Sequence, residues 1–174
     1  MHKKITHNSN QSGFSLIEVL ISIFVFSFSL LGIASMMTIS IRNNHNGYLR
    51  SQAIIASNNM AATMRANVSG LWTGSYNGTA PHDASTFCDF NSHCDRTQLA
   101  QYDMEQWGIS LNQLLPGGIG TIECETPAPP VGVMSAGLWT ASPPFSGMCS
   151  ITVSWNESNE TGSQLQNISL LIQP

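Results

Sequence analysis

The chain is poor in charge. Only 9% of its 174 residues are Asp, Glu, Lys or Arg, against about a quarter in ordinary soluble domains. Both lysines, Lys3 and Lys4, stand at the very start. From residue 14 onward, Arg42, Arg50, Arg65 and Arg96 face ten acids, a net charge of −6 with histidine neutral. That leaves no basic footprint, so no nucleic acid is expected to bind directly. Proline is missing before Pro81, so nothing ahead of it forbids a long helix. Catalytic signatures are also lacking: there is no Gly-x-Ser-x-Gly elbow, no His-Glu-x-x-His and no phosphate-cradling glycine loop. The histidines are scattered, and His2 and His7 fall in the first thirteen residues. The expectation is a protein that is not an enzyme and needs no cofactor.

What the chain does have is one long apolar run, Phe14–Ile41, broken by a single charge at Glu18. Its 28 residues would reach roughly 42 Å as a helix, against roughly 30 Å of bilayer hydrocarbon. It is therefore a membrane-span candidate that can project beyond the lipid. An acid in such a segment costs on the order of 2–3 kcal/mol by insertion scales, so it usually has a partner or a task. Glu18 also lies only about 6 Å along the helix from Phe14, where it can reach the interface and a positive helix end. Lys3 and Lys4 precede the run while Arg42 and Arg50 follow it closely, so flanking charge alone barely decides topology.

Gly13-Phe14-Ser15-Leu16-Ile17-Glu18-Val19-Leu20 resembles the prepilin signature of type IV pilins and type II secretion pseudopilins. The resemblance implies that a prepilin peptidase cuts between Gly13 and Phe14 on the cytoplasmic side and methylates the new amine on Phe14. It implies that the apolar helix is retained as filament core, and that Glu18 pairs with the N-terminal amine of a neighbouring subunit. The chemistry is coherent, because cleavage creates a cation at Phe14 and a carboxylate is its counter-charge in a low dielectric. An ordinary signal peptide cut near Gly32-Ile33-Ala34 is the competing reading, but it leaves Glu18 and the Gly13-Phe14 junction without a reason.

Cys88, Cys94, Cys124 and Cys149 all follow the apolar run. An even count in an exported domain reads as two disulfides. Three pairings are possible. Cys88–Cys94 with Cys124–Cys149 is preferred, because it closes one local loop and one longer one. A metal site using His82, His93 and the cysteines is the rival, but the C-x5-C and C-x24-C spacings lack the paired short spacings of zinc modules. Asp83, Asp89 and Asp95 do not match a calcium loop either.

The chain divides into a leader at 1–13, an apolar helix half at 14–41, an amphipathic half at 42–67 and a globular part at 68–174. Leu49, Ala53, Ala56, Met60, Ala61 and Met64 recur on one helical face, so one helix is expected from Phe14 to about Asn67, softened at Gly32 and Gly47. Residues 69–94 read as loop. Asp95-Arg-Thr-Gln98 reads as a capped helix start, with Pro116-Gly117-Gly118 ending that helix after Leu115. Short strands are expected at Ile119–Glu125, Cys149–Trp155 and Leu165–Ile172, with a polar turn over Asn156–Ser163. Between the first two runs a proline-rich loop holding Leu138, Trp139 and Phe145. The fold class is α+β: a long N-terminal helix packed on a small antiparallel sheet, with one further helix, which is also the pilin-like architecture the resemblance implies.

Three later stretches narrow the resemblance. Asn59–Asn67, Trp107–Gly120 and Cys149–Trp155 resemble the PilV-type minor pilins, known as type IV pilus modification proteins. That implies a low-abundance subunit that primes pilus assembly, with twitching, adhesion or DNA uptake downstream. Implied partners are the prepilin peptidase, other minor pilins, the major pilin, a PilY-type tip adhesin and, before assembly, inner-membrane lipid. The implied location is a single pass of the inner membrane with the C-terminal domain in the periplasm, then the extracellular pilus. A minor pseudopilin of a type II secretion system and a membrane-anchored extracytoplasmic enzyme are the alternatives.

Overall fold

The structure is a computed structural model that describes residue 13 and residues 15–88, 94–125, 144–159 and 162–174. The first element is a single helix, α1 (Leu16–Ala66), of 51 residues. The helix continues without a break through Gly32 and the Asn43–Gly47 stretch. Two compact units part within it, Met1–Asn43 and Asn44–Pro174.

In the first unit every described side chain is exposed. Its helix is long and apolar enough to cross a membrane. Four of its hydroxyls are turned back onto the helix itself: Ser22, Ser27, Ser29 and Thr38 each donate to the carbonyl four residues earlier, at 2.7–3.1 Å. A hydroxyl satisfied in this way presents little polarity to its surroundings.

The second unit begins where the helix acquires a buried stripe: Leu49, Ala53, Ala56, Ser57, Met60, Ala61 and Met64. The three- and four-residue spacing places these on one face. Asn67 then ends α1 and starts α2 (Val68–Trp72), its side chain accepting from the Gly70 N–H. Its amide also donates to the Arg96 carbonyl at 2.8 Å, so one buried asparagine joins the ends of three helices. After α2 come β1 (Gly78–Thr79), α3 (Arg96–Leu114), β2 (Ile119–Cys124), β3 (Cys149–Asn159) and β4 (Gly162–Ile172).

The four strands form one antiparallel sheet in the order β1-β2-β3-β4. Along β3, Cys149, Ile151, Val153 and Trp155 are buried while the intervening hydroxyls are not, the period of a strand with one covered face. The cover is α1 and α3. Met60 and Met64 from α1, and Met104, Trp107 and Leu111 from α3, join Ile122, Ile151 and Val153 in one core. The Trp107 indole N–H donates to the Ala56 carbonyl across that core at 3.2 Å. The architecture is α+β and pilin-like: a long N-terminal helix on a small antiparallel sheet, with a second substantial helix.

Helix α3 begins with a full capping box. Asp95 accepts from the N–H groups of Thr97 and Gln98, and the Gln98 side chain accepts from the Asp95 N–H. Gly117, at φ +62°, takes the left-handed conformation that follows many helix ends. Gly108, inside the helix, is a close-approach point: a Cβ there would collide with the Pro81 carbonyl.

Two expectations are corrected. Residues 69–94 are not loop throughout, because they contain α2 and β1. Asn67 supplies the cap for a second, short helix, and Gly78–Thr79 pairs with Ile122 and Thr121 of β2, neither of which leaves a hydrophobic period in so short a run. The polar turn at Asn156–Ser163 is also too long. β3 reaches Asn159 and β4 starts at Gly162, paired in register throughout. Polar residues such as Asn156 and Ser163 are carried by ladder bonds on the solvent side of a two-stranded extension, where polarity does not oppose a strand. Phe145 is buried and packs edge-on against Trp72 at 5.2 Å. Leu138 and Trp139 lie outside the described residues.

Candidate processing and assembly site

Gly13 is exposed and stands in open space, with nothing near the position a side chain would take. Helix α1 starts just beyond it. The Ser15 carbonyl accepts from the N–H groups of Glu18 and Val19 at 3.0 and 3.3 Å. Glu18 thus sits in the first turn, where the positive end of the helix dipole favours an acid. Its side chain is exposed, flanked by Ile17 and Val19, and has no hydrogen-bond or ion-pair partner among the described residues. Ser22, Ser27, Ser29 and Thr38 on this apolar surface are satisfied within the helix, and the carboxylate is not. Phe14 and the leader up to residue 12 lie outside the described residues.

The cysteines form two bonds, Cys88–Cys94 and Cys124–Cys149. The second joins directly opposed residues of β2 and β3, fastening the sheet at the end from which the 126–143 stretch departs. The first closes a short loop just ahead of the α3 cap. His82 and Asp83 are exposed. Asp89 and His93 lie outside the described residues. No group of three or more His, Cys, Asp or Glu side chains converges as a metal site among the described residues. Glu123 and Glu125 are both exposed beside Cys124.

Two buried polar arrangements were not visible in the sequence. Glu105 is fully buried on α3. Its carboxylate accepts from the backbone N–H and hydroxyl of both Ser85 and Thr86 at 2.6–2.9 Å, and from Gln101 at 3.2 Å. Burial works to raise its pKa, but the four bonds from Ser85 and Thr86 together outweigh this and bring it down to about 2. The effect is to clamp Ser85 and Thr86 onto α3. The one available hint is Gly108, a turn further along the same helix, where the chain at Pro81 crosses closely. The second arrangement is Tyr76, whose hydroxyl donates to Asp103 at 2.7 Å. Burial first, then the Asp103 carboxylate, push the Tyr76 phenol well above its ordinary range. Burial likewise raises Asp103, with the Tyr76 bond acting in the opposite direction. Both arrangements hold elements together and neither opens onto a reaction cleft. The cavity beside Asp103, about 250 Å³ between α1 and α3, is lined largely by amides, hydroxyls and apolar groups.

No similar curated protein and no similar solved structure was found. The N-terminal stretch does match a known family. Residues 8–34 carry the prokaryotic N-terminal methylation motif, the prepilin signature of type IV pilin-like proteins.

Proposed function

We propose that this chain is a minor type IV pilin of the PilV type, a structural subunit that acts in the initiation and assembly of the pilus. The observation that carries the proposal is the methylation motif, with Glu18 as an unpartnered acid five residues beyond Gly13 in an otherwise uncharged apolar run. In this reading the prepilin peptidase cuts after Gly13 and methylates Phe14. The helix then anchors the chain in the inner membrane with the disulfide-bonded domain outside the cytoplasm. On assembly Glu18 takes the Phe14 amine of a neighbouring minor or major pilin as its partner, which removes the cost of a lone carboxylate in a low dielectric. A PilY-type adhesin at the tip is a further partner on this reading.

The test is the intact mass and N-terminal sequence of the protein from native membranes, together with pilus incorporation of Glu18→Ala. A start at methylated Phe14, with normal processing but poor incorporation of the variant, supports the reading. A start at Met1 or near Ser35 overturns it. The motif is shared with minor pseudopilins, so deletion of the chain separates the two readings: loss of piliation supports a pilin, and loss of protein secretion with intact pili supports a pseudopilin.

A further inference from the structure

We draw no further inference here: the strongest candidate, the outer edge of β4, an uncharged and proline-free strand whose backbone bonds only to β3 among the described residues and which leaves Leu165 and Leu171 exposed, is open to a further strand, but nothing in the structure shows what covers it.

Discussion

Replacing Glu105 by glutamine puts the buried clamp on α3 under direct test. Four donors from Ser85 and Thr86 converge on two carboxylate oxygens. Both hydroxyls bond Oε1 and both backbone N–H groups bond Oε2, so glutamine can keep its oxygen on the N–H groups and give its NH2 to the hydroxyls, which accept. Four charge-assisted bonds then become neutral ones, at a loss of about 0.5–1 kcal/mol each, and the Gln101 amide loses its acceptor. The expected loss is about 2–4 kcal/mol. The pH dependence carries a second signature. In the folded chain the carboxyl is held at about 2, below its ordinary value of 4.5. Its contribution is therefore fully present above the ordinary value and disappears as the pH falls from about 5 toward about 2. Urea unfolding of residues 44–174, followed by tryptophan fluorescence across that range, reads both effects. Other acids titrate too, but the difference between parent and variant isolates this one. The gap should be largest at neutral pH and close as the solution becomes acidic. Equal midpoints at neutral pH, or curves that stay parallel down to about pH 2, would refute the argument that these bonds hold the carboxylate in its charged form.

Gly108→Ala should destabilise the domain by 2 kcal/mol or more, read as a fall in melting temperature, although glycine to alanine within a helix normally gains about 1 kcal/mol; the new Cβ would meet the Pro81 carbonyl. Asp95→Ala should cost about 1 kcal/mol in the same measurement, from loss of the α3 cap. Opening Cys124–Cys149 by a double serine substitution should cost about 3.5 kcal/mol and opening Cys88–Cys94 about 2 kcal/mol, because the longer closed loop restrains more of the unfolded chain. The reverse order would mean that native packing around the short loop, and not chain entropy, dominates.

Much of the fold was legible because its signals are local. Asp95 and Gln98 announce a helix start in four residues, and the alternation from Cys149 to Trp155 states which strand face is covered. The stripe from Leu49 to Met64 marks where the long helix meets the sheet. What was hidden depends on partners distant in the chain. Thr79 is a strand residue only because Thr121 lies opposite. Glu105 reads as one more exposed acid on a helix until Ser85 and Thr86, twenty and nineteen residues earlier, are laid over it. Asn67 has the look of a helix terminator, and nothing nearby reveals that its amide reaches Arg96. At the N-terminus the situation is reversed. The motif is plain in the sequence, and the structure adds the isolation of Glu18 on a helix where Ser22, Ser27, Ser29 and Thr38 are bonded to their own backbone.

That occupancy has a consequence for movement between environments. Ser22, Ser27, Ser29 and Thr38 spend their hydrogen bonds on their own backbone, so those four hydroxyls show little polarity to whatever surrounds the helix. Leaving lipid for a bundle of similar helices would exchange one oil for another and break none of those bonds. Glu18 is the one charged side chain of the run, so the direction of the transfer would be decided chiefly by where it finds a positive charge.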